Sequence, residues 1–251
     1  LMFLGCPLRM ILRLGGGDLN ALFGIAGFAG GVGIGTIFLK RGYSLQRTYA
    51  LSKLESAIMP AIQVGLLVLV VTAPAFIFFS QKGPGAMHAP WLISLATGLV
   101  VGGLSQFSRL CTVGGFRDLF LFKKSILIFG YLAVLIGVFV VNISFGNFHL
   151  GFENQPIAHT DGLWNFLGMA LAGFCSVLLG GCPLRQLIMT GEGNSDSAVT
   201  VLGLAAGAAF AHNFGLAASG AGPTLNGEIA VGIGFVVALI IAVVNTKRAN
   251  A

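Results

Sequence analysis

The sequence predicts an all-α, polytopic membrane protein, built on an inverted internal repeat with broken or re-entrant helices that carry cysteine motifs. Three observations lead there. The 251 residues are 56% hydrophobic and only 9% charged, where a soluble domain carries about 25% charged residues. The chain is divided into apolar runs near the ~20 residues that cross a bilayer as helix. The pentapeptide "GCPLR" also occurs twice, at 5–9 and 181–185, in a chain with only four cysteines. We read 1–251 as a single transmembrane domain, with 1–89 the remainder of a first repeat and 90–251 the second.

The runs lie at 19–39, 56–80, 90–106, 125–143, 162–180, 198–214 and 227–246, with a further apolar piece before Cys6. Glycine supplies 38 residues, and small residues let membrane helices approach closely and tolerate breaks. The opening "LMFLGCPLRM" lacks the charged n-region of a cleavable signal peptide. A chain beginning with Leu is expected to be a fragment that starts inside a helix. The formal net charge of +6 comes from residues scattered between apolar runs. It predicts no nucleic-acid partner, because no basic patch with interleaved aromatics lies in a soluble segment.

If every run crosses, the connections alternate between two faces. One face then holds Lys40, Arg41, Arg47, Lys53, Arg109, Arg117, Lys123, Lys124, Arg185, Lys247 and Arg248, against Arg9, Arg13 and Lys82 on the other. The positive-inside rule makes the richer face cytoplasmic and places the C-terminus there. Five runs separate Cys6 from Cys182, an odd number, so the two "GCPLR" copies enter from opposite faces. Inverted repeats with interrupted hydrophobic segments point to a substrate path near the midplane.

In "GCPLR" the proline suits the first helical position, which makes Cys6 and Cys182 the residues that cap short helices. A thiol there faces the positive end of the helix dipole, which lowers its pKa and favours a nearby anion. Arg9 and Arg185, three residues on, are out of place for a helix N-terminus and suggest a negative partner. The competing reading has these arginines snorkelling to headgroups and the cysteines as small apolar fillers. Repetition of all five letters weighs against it.

A third thiol lies in "SRLCTVGGFRD", where Arg109, Cys111, Gly114, Gly115, Arg117 and Asp118 directly follow an apolar run. The Gly pair would permit a turn with N–H groups aimed at an anion. Asp118 is the natural partner for one of the arginines, since unpaired charge at membrane depth is costly. A basic loop at the cytoplasmic edge is the alternative. Cys175, in "ALAGFCSVLL", has no polar neighbour and reads as packing. The cysteines lack the close pairs of a structural zinc site, and His88, His149, His159 and His212 are scattered, so no metal is expected. Neither a disulfide framework nor a P-loop is visible, and no cofactor is implied.

"GEGNSDSAVTVLG" follows the second motif as "GGGDLNALFG" follows the first. Asp18 and Asn20 in one copy, and Asn194, Ser195 and Asp196 in the other, are expected to cap the next helix. His212 and Asn213, in "AHNFGLAAS", fall late in an apolar run, where polar groups are either functional or bonded to helix-end carbonyls.

Taken together, "GCPLR" with its echo, "SRLCTVGGFRD" and "GEGNSDSAVTVLG...AHNFGLAAS" resemble the YeeE/YedE family of bacterial inner-membrane proteins, and most closely its selenium-associated YedE branch. The resemblance covers most of the chain from Cys6 to Arg248. It implies an hourglass-shaped helical protein of the inner membrane that takes up sulfur compounds, with cysteines at a central constriction. Cys6, Cys111 and Cys182 would then line the path, with Arg9, Arg185, Arg109, Arg117, Asp118, Gly114 and Gly115 beside them. The implied substrate is a small selenium or sulfur oxyanion or a related thiosulfate-like compound, and a cytoplasmic sulfur or selenium carrier protein is an implied partner. By the internal repeat, a counterpart of "SRLC" is expected about 65 residues before Leu1. The reading is of a transporter and not an enzyme. The alternative is a membrane transferase in which a reactive cysteine hands sulfur or selenium to the carrier. A docking scaffold for such a carrier is the third possibility.

Overall fold

A computed structural model describes residues 2–45, 52–76, 78, 81, 86 and 89–249, with the backbone alone for 247–249. Arg47, Lys82 and His88, which entered the charge count and the histidine survey, lie outside the described residues. The described residues form ten helices: α1 Pro7–Gly15, α2 Asn20–Lys40, α3 Lys53–Thr72, α4 Trp91–Ser108, α5 Thr112–Phe122, α6 Ile126–Ser144, α7 Gly162–Leu178, α8 Pro183–Gly191, α9 Ser195–Asn213 and α10 Leu225–Ala249. Only isolated β-bridges accompany them, among the described residues.

Among the described residues, six stretches are long and apolar enough to cross a membrane: Asn20–Lys40, Lys53–Thr72, Trp91–Phe122, Ile126–Ser144, Gly162–Gly191 and Leu225–Thr246. The remaining sequence run, 198–214, falls on α9, which is not among the six. Its Ala and Gly content and its polar ends, Ser195, Asp196, His212 and Asn213, dilute its hydropathy. Large apolar side chains stand exposed along α3, α4, α6 and α10. Water would not tolerate so much apolar surface, but lipid does. The chain is therefore an all-α, multi-pass membrane protein.

Two of the crossing stretches are broken, and both breaks hold a cysteine. Helix α4 ends at Arg109 in the left-handed region (φ 51°), and α5 restarts after Cys111. Helix α7 ends before Gly180 (φ 82°), and α8 restarts at Pro183, directly after Cys182. Proline has no N–H to lose at the first helical position. Cys6 stands in the same relation to α1, as its N-cap, with Pro7 following. Each short helix leads into a longer one: α1 to α2, α5 to α6, α8 to α9. Nine helical residues rise about 14 Å, roughly half of the ~30 Å hydrocarbon layer, so α1 and α8 have the length of half-helices.

The chain divides into two compact units, Leu1–Arg47 with Cys111–Leu184 and Gly203–Ala251, and Thr48–Leu110 with Arg185–Leu202. In the first, the most extensive packing is between α2 and α7. Gly27, Gly31 and Gly35 recur at four-residue spacing along one face of α2. A Cβ at Gly27 would run into the Phe166 carbonyl, and one at Gly31 into the Ala170 carbonyl. From the other side, a Cβ at Gly173 would come within 2.5 Å of the Phe28 carbonyl. The two backbones are thus in contact, and α1, α5 and α10 pack around the pair. The core beside it holds Phe3, Met10, Phe28, Val32, Val113, Met169, Val177 and Cys182.

In the second unit, Ser52 opens α3 with a capping box: its backbone N–H donates to Glu55 Oε2 at 2.9 Å, while the Glu55 N–H donates to Ser52 Oγ at 3.4 Å. Gly193 takes φ 86°, and a Cβ there would lie 2.8 Å from the Ser56 carbonyl. Gly31→Val should cost roughly 1–3 kcal/mol or more, since the obstacle is backbone and cannot rotate away. Gly137→Ala, where nothing lies within 4 Å of a Cβ, should be neutral to slightly stabilising; thermal unfolding in detergent micelles compares the two.

Candidate functional site

Three thiols from distant parts of the sequence gather around one hydroxyl, that of Tyr131, in the first unit. The Cys111 thiol is within hydrogen-bonding reach of the Cys182 thiol and of the Cys182 backbone. Cys6, Cys111 and Cys182 all lie within electrostatic reach of the Tyr131 hydroxyl, on α6. That hydroxyl donates to the Pro7 carbonyl at 2.7 Å and stands beside the Thr112 hydroxyl. Tyr131 therefore ties the start of α1 to the start of α5. The thiols differ in access: Cys6 is exposed, Cys111 is half-buried, and Cys182 is 2% exposed within the apolar core.

Each thiol owes its place to a helix start. Cys6 has extended backbone (φ −86°, ψ 171°), and its carbonyl accepts the Met10 N–H at 3.0 Å, the first bond of α1. Its side chain makes no capping bond, so the thiol stays free of its own helix. Cys111 (φ −148°, ψ 116°) does cap: its Sγ accepts the Gly114 N–H at 3.4 Å. Gly114 and Gly115 are not a turn, as the sequence had suggested. They form the first turn of α5, where a Cβ at Gly114 would lie 3.0 Å from Leu127 Cδ1 and one at Gly115 would lie 3.4 Å from Ile128 Cγ1. Their small size lets α5 lie close against α6.

The arginines are distributed more widely than the thiols. Arg117 pairs with its neighbour Asp118 at 3.0 Å, both partly exposed, as the sequence anticipates. Arg9 is half-buried and lines a cavity of about 470 Å³ with Arg13, Asp18, Asn142, His149 and Gln155. Arg109 and Arg185 belong to the second unit. There Arg185 Nη1 donates to Gln106 Oε1 at 2.6 Å, Gln106 Nε2 donates to Glu192, and Arg185 Nη2 lies 4.0 Å from Glu192 Oε2. Glu192 supplies the negative partner that the second "GCPLR" arginine called for.

Asn194 Oδ1 accepts the Ser197 N–H at 2.9 Å, which confirms it as a cap of α9, whose first turn holds Ser195 and Asp196. Asn213 donates back to the Ala209 carbonyl at 2.8 Å, and His212 is exposed beside it on the last turn of α9. Asn213 is thus engaged at its own helix end. Cys175 packs with Phe174, Leu178 and Ala238 in a separate apolar cluster. Among the described residues, no group of three or more His, Cys, Asp or Glu side chains is placed to hold a metal ion.

The sequence reading missed the polar group that fixes the first motif. Arg13, 8% exposed, donates from Nε to Asp18 Oδ2 at 2.6 Å and from Nη1 to the Phe3 carbonyl at 2.5 Å, with its guanidinium 4.2 Å from the Phe3 ring centroid. Asp18 Oδ1 accepts the Asn20 N–H and its side-chain amide, each at 2.9 Å, and that amide also donates to the Phe152 carbonyl at 2.7 Å. Leu19 and Gly151 extend the tie by backbone bonds between the α1–α2 turn and the segment after α6. The stretch leading into Cys6 is thereby tied through Arg13 to the α1–α2 turn. One signal was available: Arg13 stands one turn after Arg9 on an otherwise apolar nine-residue helix, with an acid five residues on.

Two measurements follow. Arg13→Met leaves the Asp18 carboxylate buried without its partner and should cost about 3–5 kcal/mol, whereas Arg13→Met with Asp18→Leu should recover part of that loss; unfolding midpoints of the three proteins decide it. Maleimide labelling of the folded protein should modify Cys6 first, Cys111 more slowly and Cys182 last, and peptide mass mapping over time gives the order.

No curated protein and no solved structure matches the chain significantly. Residues 107–247, more than half of the chain and including Cys111, Cys182 and the capped α9, match the family model described as sulphur transport. With broken membrane helices and thiols gathered at the breaks, this multi-pass membrane protein belongs to the sulphur transport family.

Proposed function

We propose that the protein carries a small sulfur- or selenium-containing anion of the thiosulfate or selenium-oxyanion class across a bacterial inner membrane, by way of Cys6, Cys111 and Cys182. The observation that carries this reading is the meeting of the three thiols around Tyr131, graded from exposed to buried. An anion leaving water needs donors to replace its hydration. Thiol S–H groups are weak donors, so they can pass a soft, polarisable anion along without trapping it. The segments starting with α1, α5 and α8 present their N-termini at the cysteines, and helix N-termini favour negative charge. Arg9 beside its cavity and Arg117, both in the unit that holds the thiols, raise the local concentration of anions.

The inverted repeat gives the arrangement its two-sidedness, with the "GCPLR" copies entering from opposite faces. The arginine- and lysine-rich face is cytoplasmic, and the C-terminus lies there with a sulfur or selenium carrier protein as receiver. The likeness of "SRLCTVGGFRD" and "GEGNSDSAVTVLG" to the YedE branch favours selenium compounds among the substrates.

Uptake of labelled thiosulfate and selenite into vesicles tests the proposal. Cys6→Ala, Cys111→Ala and Cys182→Ala should each lower the rate at least about tenfold, the loss of one hydrogen bond worth about 1.4 kcal/mol in the rate-limiting step. Cys175→Ala should retain it. Equal rates in all four variants would sink the thiol path, and a persulfide or Se–S adduct trapped on Cys182 during turnover would replace transport by group transfer.

A further inference from the structure

We propose that Cys111 and Cys182 form a dithiol that closes to a disulfide under peroxide and shuts the path, an inference that rests on the thiol path described above. The two residues are 71 positions apart in sequence, yet Cys111 packs against the apolar cluster that holds Cys182, their side chains lie within hydrogen-bonding reach of one another, and neither is in a disulfide. Each directly precedes the first residue of a helix rather than lying within one, after a non-helical break: Arg109 at φ 51° before Cys111, Gly180 at φ 82° before Cys182. A Cβ at Gly180 would meet nothing within 4 Å, so this break has room to adjust. Hydrogen-bonded sulfurs stand up to ~4 Å apart and a disulfide holds them at about 2.05 Å, so closure asks for a movement of about 2 Å. A break accommodates that more readily than a continuous helix.

The other two cysteines are placed differently. Cys175 belongs to a separate apolar cluster with Phe174 and Ala238. Cys6 is exposed at the start of α1, whose position Tyr131 and Arg13 fix through the Pro7 and Phe3 carbonyls. The half-buried Cys111 is therefore the member of the pair that a small oxidant reaches first. Its sulfur, losing its proton, attacks one oxygen of hydrogen peroxide; the O–O bond breaks, leaving a sulfenic acid on Cys111 and releasing water. The Cys182 sulfur then attacks the sulfenic sulfur, the S–O bond breaks, and a second water leaves with the Cys182 proton. Two electrons pass from the two sulfurs to the peroxide, and the sum is two thiols and one peroxide to one disulfide and two waters. Both S–H donors at the buried end are consumed, so an anion loses its partners there, and a dithiol reductant restores them.

The full chain in membrane vesicles tests this. After brief hydrogen peroxide treatment, remaining thiols are alkylated, peptides are mapped by mass, and labelled thiosulfate uptake is measured in the same vesicles. The expected result is a Cys111–Cys182 linked peptide lighter by two hydrogens, Cys6 and Cys175 recovered alkylated, and uptake reduced at least tenfold, with dithiothreitol reversing both changes. Cys175→Ala should behave identically. Linkage through Cys6, sulfinic or sulfonic acid on Cys111 in place of linkage, or a linked pair with unchanged uptake would each overturn the proposal. If the untreated protein takes up no anion, the transport reading falls, and the peptide map alone then upholds or overturns the dithiol.

Discussion

The close approach of α2 and α7 is the contact around which the first unit is arranged. Helices in lipid gain nothing by hiding apolar surface from one another, because the surrounding chains are equally apolar. Close packing must supply the attraction, and Gly27, Gly31 and Gly173 supply it by letting backbone meet backbone. Helix α7 runs directly into Gly180, Gly181 and Cys182, while α2 extends from the turn that follows Cys6 and α1. A contact between two long helices thereby fixes where two cysteine motifs begin. The third is brought in through α5, which packs on α2 and against α6.

Within this apolar frame, two polar anchors hold the surroundings of the first motif. The Arg13–Asp18 pair is almost completely withdrawn from solvent. A buried ion pair is seldom a source of stability in itself, because desolvation offsets the attraction. Its value lies in geometry, since it links the Phe3 carbonyl to Asp18 at the α1–α2 turn, and Asn20, bonded to the same carboxylate, ties that turn to the segment after α6. Tyr131 performs the same service between α6 and the start of α1. Both hold the surroundings of Cys6 while leaving its thiol unbonded to its own helix.

The breaks in α4–α5 and α7–α8 carry a cost, since a helix interrupted at membrane depth leaves backbone groups without partners. Part of that cost is met locally. The Cys111 sulfur takes the Gly114 N–H, and Pro183 removes a donor from the start of α8. What remains is a helix N-terminus facing a thiol, which is favourable ground for an anion. The residues that end one helix and start the next are the same ones that the proposed anion path would use.

How much of this could be read from the letters varies with the distance over which each feature acts. Hydropathy and length determined the membrane class and the positions of the spanning helices, because burial in lipid depends on each segment's own composition. The proline in "GCPLR" placed Cys6 and Cys182 at helix starts, and Asn194 announced the cap of α9, because such signals act within one turn. The same locality misled at Gly114–Gly115, where a turn was expected and a helix formed; the close contact with Leu127 and Ile128 on α6 asks for small residues there. Nothing within the apolar run around Tyr131 marks it as the anchor of Pro7, 124 residues away. Nor does "SRLC" announce that its thiol faces Cys182. The sequence by itself determined which residues begin helices and which segments enter the membrane. Only the tertiary structure decided that three thiols gather around Tyr131 and that Arg185 meets Gln106, 79 residues away, since contacts between distant segments depend on packing that no local pattern encodes.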